Sequence, residues 1–263
     1  MNAPRPPYYL PRETANLLSD EHMRQCKNLG LLLNKYAPQS VMQSSARKNQ
    51  WLRGIISSNM IDVTLAMYAY RRWLSLTTAA GALHFHAATD WRLTIGLNNE
   101  TVLETGLTLH PLYGIPLIPG SSLKGLCRSY VTGEIAEHTS KRLDEDDQTV
   151  QRIFGSPTQS GTVIFFDAIP FEGKATFALD IINVHYPDYY SRGKTPTNDQ
   201  HPNPVTFLTI SDTLFAFALA PRNLKRGEQK EDVIMASRWL QEALQEYGVG
   251  GKTSAGYGYF STQ

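Results

Sequence analysis

The segment GVGGKTSAGYGYF, Gly248 to Phe260, concentrates the groups best suited to holding an anion. Five glycines fall within residues 248–258, which lets the backbone take positive φ and admit another chain closely. Successive exposed N–H groups form anion-binding nests, and Lys252, Thr253 and Ser254 add one charge and two hydroxyls. Gly250, Gly251, Lys252, Thr253 and Ser254 are therefore candidates for gripping a phosphodiester backbone without reading its bases. The embedded Gly-Gly-Lys-Thr is not a nucleotide-binding P-loop. That motif needs a glycine five positions before Gly251, where this chain has Glu246.

A second set lies in PGSSLKGLCR, residues 119–128. Leu123, Leu126, Cys127, Tyr130 and Val131 fall at i, i+3, i+4, i+7 and i+8, one apolar stripe of a helix with Ser121 or Ser122 as its cap. Lys124 and Arg128 stand four apart beside that stripe. Cations in a first turn oppose the helix dipole by about 0.3–1 kcal/mol each. An anion at the free N–H groups offsets that penalty, so Ser122, Lys124 and Arg128 join the phosphate-contact candidates.

Other chemistry is less well supported by spacing. His84 and His86 share a face if HFH is a strand, but no third group stands at a ligand's or acid's spacing, so both read as structural. His110 and His185 are the more exposed-looking histidines, again without an identifiable partner. The acidic run Asp144 to Asp147 reads as a solvated loop, because contiguous carboxylates seldom converge on one ion. No metal site, cofactor or catalytic group is assigned. Asp188 and Asp199 stand in a long Pro-rich segment that also holds Arg192 and Lys194.

The elements that must position these groups follow from periodicity. The chain has 263 residues, 41% hydrophobic and 19% charged, with a formal net charge of +1. That balance is ordinary for a globular protein and demands local basic patches for any nucleic-acid contact. Two distant cysteines, Cys26 and Cys127, argue against a disulfide framework and suit a reducing cytoplasm. The start, MNAPRPPYYLPRE, has no apolar h-region, and no stretch reads as a membrane span.

Residues 1–88 read as a helical extension, with helices over 19–36, 45–57 and 60–76. From Trp91 the period changes, and 89–263 reads as the main domain. Trp91, Leu93, Ile95 and Leu97 alternate as a half-buried strand. After the 121–131 helix, TVIFFDAI (162–169) and ATFALDII (175–182) read as a hairpin, and TLFAFALA (213–220) as a further strand. Between the last two runs a loop, 184–204, with four prolines. Its length marks it as functional or disordered. A helix over 231–247 ends at Gly248, and AGYGYF closes as a strand. The resulting order is βαββαβ, an α+β, ferredoxin-like (RRM-like) antiparallel sheet with helices. In that order the Gly-rich segment leaves a helix and enters a strand, the reverse of a P-loop. The two phosphate-prone segments are expected to converge, because the first and fourth strands are neighbours.

LIPGSSLKGLCRSYV, IFGSPTQSGTVIFFDAIP, DIINVHYPDYY and GVGGKTSAGYGYF together resemble the RAMP superfamily of CRISPR proteins, over roughly Trp91 to Phe260. More narrowly they resemble the sixth-subunit family of the type III-B (Cmr) effectors. The resemblance implies a RAMP fold and a non-catalytic, cytoplasmic backbone subunit. Such a subunit holds CRISPR RNA toward its 3′ end and caps a filament of RAMP subunits in antiviral defence. It implies CRISPR RNA, target RNA, neighbouring RAMP subunits and small helical subunits as partners. It carries RNA contact onto the Gly-rich residues and Ser122, Lys124 and Arg128. Arg192 and Lys194 are included, with His185, Tyr186, Tyr189 and Tyr190 as candidates for stacking on bases. Some RAMP relatives are metal-independent endoribonucleases that use a histidine, which stands as the alternative.

Overall fold

Residues 10, 11, 13, 14, 25–57, 61–99, 101, 103–133, 143–184 and 203–262 are described by a computed structural model. In chain order they form α1 (Leu29–Asn34), α2 (Ser45–Ser57), α3 (Val63–Ala79), β1 (Leu83–Thr89) and β2 (Arg92–Leu93). Then come α4 (Gly120–Thr132), α5 (Gln148–Phe154), β3 (Gly155–Ser156), β4 (Gln159–Ser160), β5 (Val163–Phe165) and β6 (Ile169–Pro170). The chain continues through β7 (Thr176–Val184), β8 (Asn203–Ser211), β9 (Leu214–Pro221), α6 (Glu228–Glu246) and β10 (Phe260–Thr262).

The main sheet has the order β10-β1-β9-β5, with β6 also paired to β9, and every pairing is antiparallel. With β5 and β6 taken as one interrupted strand, the path β1-α4-β5/β6-β9-α6-β10 is the expected βαββαβ. A second sheet, β2-β8-β7, stands beside it.

Several sequence expectations are corrected. The first strand is Leu83–Thr89 rather than the run from Trp91, so the helical reading ends at Ala79 instead of residue 88. Only Arg92 and Leu93 of the later run are strand, and they pair with β8. Its alternation is lost because Thr94 is fully buried while Trp91 is 50% exposed. The runs 162–169 and 175–182 are not a hairpin. β7 pairs with β8 along its whole length, a strand hidden behind Pro204, and the pairing ends at Val184 and Asn203. Residues 185–202 lie outside the described residues. So do Ser19 and the start of the first expected helix.

Alternation along β9 explains how the sheet is covered. Phe215, Phe217 and Leu219 belong to one core cluster with Leu123 and Cys127 of α4 and Ala236, Leu240 and Leu244 of α6. Ala216, which must point to the other face, packs with Ala66, Ala69 and Tyr70 of α3. The aromatic-small pattern of LFAFALA is thus that of a strand buried on both faces. The helix α3, capped by the Asp62 carboxylate at Leu65 N–H, closes the face that a bare βαββαβ unit leaves open. Leu52 and Ile55 of α2 join Leu208 and Ile210 of β8 in the larger core cluster. No helix among the described residues is long and apolar enough to cross a membrane.

Candidate nucleic-acid interface

The Gly-rich loop follows α6 and is built around close backbone approach. A Cβ on Gly250 would lie 2.3 Å from the Thr94 carbonyl oxygen, and one on Gly258 2.0 Å from that of Val249. Both residues have positive φ, 95° and 78°. Hydrogen bonds from Gly251 N–H to Thr94 O (2.8 Å) and Gly258 N–H to Arg92 O (2.7 Å) tie the loop to the chain around β2, and Val249 N–H to Gly258 O (2.8 Å) closes the loop on itself. The expectation that Gly251 offers its N–H to a ligand is therefore corrected: that group is already paired.

What stays open is more localised. Lys252 is left-handed (φ 62°, ψ 32°) and leads into a 3-10 turn over Thr253–Ala255, an alternation of hand that forms an anion nest. Among the described residues the N–H groups of Lys252, Thr253 and Ser254 have no backbone partner, and Ser254 is exposed. The Lys252 ammonium stands 5.8 Å from the centroid of the Tyr257 ring. Tyr257 donates its hydroxyl to the Asp180 carboxylate at 2.5 Å, and Asp180 is paired with Arg92 at 3.0 Å. Burial first, then the hydrogen bond and charge of Asp180, push the Tyr257 phenol up to about 12. The ring stays neutral and presents its π-face to the Lys252 ammonium.

Lys124 and Arg128 have other neighbours. With Arg222 they line a groove of about 700 Å³, walled by residues 154–161 including the β3–β4 hairpin. Ser156, Thr158 and Ser160 are among the lining residues, as are the acidic Glu145 and Asp146. Burial, then Arg222 and Arg128, hold the Lys124 ammonium below the usual lysine range. Arg128 is paired with Glu145 at 3.6 Å. The Arg222 Nε donates to Gly161 O at 2.6 Å, which fixes the side chain. None of the groove-lining residues comes from the Gly-rich loop, so this groove is lined by only one of the two phosphate-prone segments.

The start of α4 also differs from expectation. Pro119 is the N-cap and Ser121 and Ser122 lie inside the first turn. Gly120 N–H donates to the Asp167 carboxylate at 2.7 Å, and Ser122 N–H to Pro119 O at 2.9 Å. The first turn is thus partly satisfied by the protein's own carboxylate. Ser122 is exposed but does not line the groove. Arg192, Lys194, His185, Tyr186, Tyr189, Tyr190, Asp188 and Asp199 lie outside the described residues.

The remaining candidates have structural employment. Asp147 caps α5 through Thr149 N–H at 2.7 Å, and Glu145 holds Arg128. His84 and His86 do share a strand face. His84 Nε2 lies 2.7 Å from the Thr77 hydroxyl, and His86 packs edge-on against Phe171. His110 has company the sequence did not reveal: it lines a cavity of about 230 Å³ with Arg72, Tyr113 and Asp167. Burial lowers its basicity, with Asp167 opposing that shift. Arg222 of the groove was missed by sequence reasoning. It has no spacing relation to the motifs, since it follows β9 and reaches the groove through the pairing of β9 with β5.

The RAMP superfamily matches residues 78–261. The Cmr subunit Cmr6 of the CRISPR system of Pyrococcus furiosus is 31% identical over 245 residues, covering 72% of this chain and 70% of its own length. The CRISPR system Cms endoribonuclease Csm3 of Streptococcus thermophilus is 26% identical over 153 residues, 56% of this chain and 69% of that protein. A chain of the type III-B Cmr-beta solved bound to cognate target RNA superposes with a TM-score of 0.61. It is 25% identical and covers 83% of this chain and 73% of its own. The chain therefore belongs to the RAMP superfamily and, within it, to the Cmr6 subunit family.

Proposed function

We propose that this chain is a non-catalytic, RNA-holding subunit of a cytoplasmic type III-B CRISPR effector. It grips CRISPR RNA toward its 3′ end through phosphate contacts and caps a row of RAMP subunits, alongside small helical subunits. The observation that carries this reading is the nest at Lys252–Ser254: successive N–H groups with no backbone partner among the described residues, beside the Lys252 ammonium over Tyr257. Such a device holds a phosphate and carries no sequence preference, which is what a subunit serving many different guides requires. The likeness to a chain solved in a Cmr assembly bound to target RNA supports the same setting.

Recovery of the ribonucleoprotein through a tag on the full-length chain, from the native host, tests this. Co-purifying guides that share one repeat-derived 5′ end, together with other RAMP subunits, are the expected outcome. Lys252→Ala is expected to weaken RNA retention and reduce the salt slope by about 0.7, one single-strand phosphate contact. No RNA and no RAMP partners from cells expressing the locus overturns the reading.

A second reading, a metal-independent endoribonuclease, is favoured by the placement of His110 with Asp167, Arg72 and Tyr113 in one cavity. The similarity to an endoribonuclease relative points the same way. Cleavage of RNA that survives EDTA and is lost in His110→Ala would establish it in place of the first.

A further inference from the structure

We infer that Trp91 is a base-stacking platform for an unpaired RNA nucleotide whose phosphate is held by the adjacent Gly-rich nest. Tryptophan is highly buried on average, and Trp91 is left 50% exposed. This indole does not protrude on a loose loop. Asp90 N–H donates to Tyr259 O at 3.0 Å on one side of it, and Gly258 N–H to Arg92 O at 2.7 Å on the other. The residue is thereby pinned to the same segment that forms the nest.

The ring has two contacts of its own. The Tyr257 ring packs 5.0 Å away at 54°, and the Arg92 guanidinium carbon lies 5.3 Å from the indole centroid. Arg92 is itself fixed by Asp180 at 3.0 Å and by the Leu179 carbonyl. Tyr257 is fixed by the same carboxylate at 2.5 Å. A platform ordered before the ligand arrives loses little rotamer freedom on binding. Its exposed surface is aromatic, so it suits any base, because every base presents a π-face.

Tyr257 is the shared wall. Trp91 packs on it, and the Lys252 ammonium sits 5.8 Å from its centroid. A phosphate at Lys252 and a base on Trp91 are therefore contacts within reach of one nucleotide or its immediate neighbour. The combination of a charged track and an aromatic step is how single-stranded nucleic acid is held without sequence readout. This inference rests on the RNA-holding reading above.

Fluorescence anisotropy with the full-length chain and a labelled single-stranded RNA tests it. Trp91→Ala is expected to weaken binding about tenfold with the salt slope unchanged, because no phosphate contact is removed. Trp91→Phe is expected to recover most of the affinity, and it separates stacking from any loss of folding in the alanine variant. Lys252→Ala behaves oppositely, lowering the slope. Wild-type affinity retained in a folded Trp91→Ala variant overturns the inference. If that variant instead sheds protein subunits from the tagged particle at unchanged RNA affinity, Trp91 is a subunit contact and the inference also falls. Either result leaves the RNA-holding reading standing. A wild-type chain without RNA affinity removes the platform, while the particle experiment above decides the wider function.

Discussion

The two anion-prone surfaces hold their charge in different ways. At the Gly-rich loop the available donors are backbone N–H groups, with one lysine seated on Tyr257. At α4 they are side chains: Lys124, Arg128 and Arg222 crowd one groove, and Glu145 partly neutralises it. The first arrangement is rigid and sensitive to any added atom, because its geometry depends on backbones approaching within contact distance. The second is dense in charge and adaptable, because long cationic stems can move. A backbone device defines where a phosphate sits, and a side-chain device supplies attraction over a wider area.

The largest expected effect falls on the rigid surface. Gly258→Ala places a Cβ 2.0 Å from the Val249 carbonyl oxygen at a φ of 78°, so both steric strain and an unfavourable dihedral are introduced. A loss of about 2–5 kcal/mol in denaturant unfolding is expected, with loss of the nest. A near-neutral result would show that the loop is pliable and erase the contrast.

Charge reversal in the groove comes next. Lys124→Glu with Arg222→Glu is expected to cost about 1.5–3 kcal/mol of unfolding stability, because the Arg222 Nε hydrogen bond to Gly161 O is lost. It is expected to weaken single-stranded RNA binding by at least about tenfold and cut the salt slope by about 1.4, two phosphate contacts. An unchanged salt slope would mean that RNA follows only the Gly-rich loop.

A pH titration sharpens the same comparison. Lys124 gives up its proton below the ordinary value of 10.5, chiefly through burial. The unfolded chain keeps that proton up to the ordinary value. Stability therefore rises as pH climbs from the folded value toward 10.5, while groove-dependent RNA binding falls over the same window. Lys124→Arg, charged throughout, is expected to abolish that alkaline loss of binding.

The smallest effect is expected at Gly251→Ala. Its nearest neighbour to a new Cβ is the Thr94 methyl at 3.6 Å, ordinary contact, and its φ is not positive. Stability should change by less than about 0.5 kcal/mol, and the nest, which begins at Lys252, should keep its affinity. A large loss at Gly251 would extend the device one residue further back.

Much of this was legible in residue order, and the reasons are local. The apolar stripe of α4, the length of α6 and its stop at Gly248, and the βαββαβ order all follow from periodicity and turn chemistry within a few residues. The Gly-rich segment announced its own conformational freedom, and the spacing around Lys252 excluded a P-loop without a structure. Pairing between distant segments is a different matter. Nothing near Trp91 says that Arg92 and Leu93 pair with β8 rather than start the main sheet, or that Leu83–Thr89 takes the central place between β9 and β10. Arg222 reaches Lys124, and Trp91 reaches Tyr257, only because strands far apart in sequence share edges. Gly251 looked available because its sequence gives no sign that Thr94 accepts its N–H. Local sequence determined which groups could bind an anion. Tertiary structure decided which of their hydrogen bonds were already taken, because that depends on who the neighbours are.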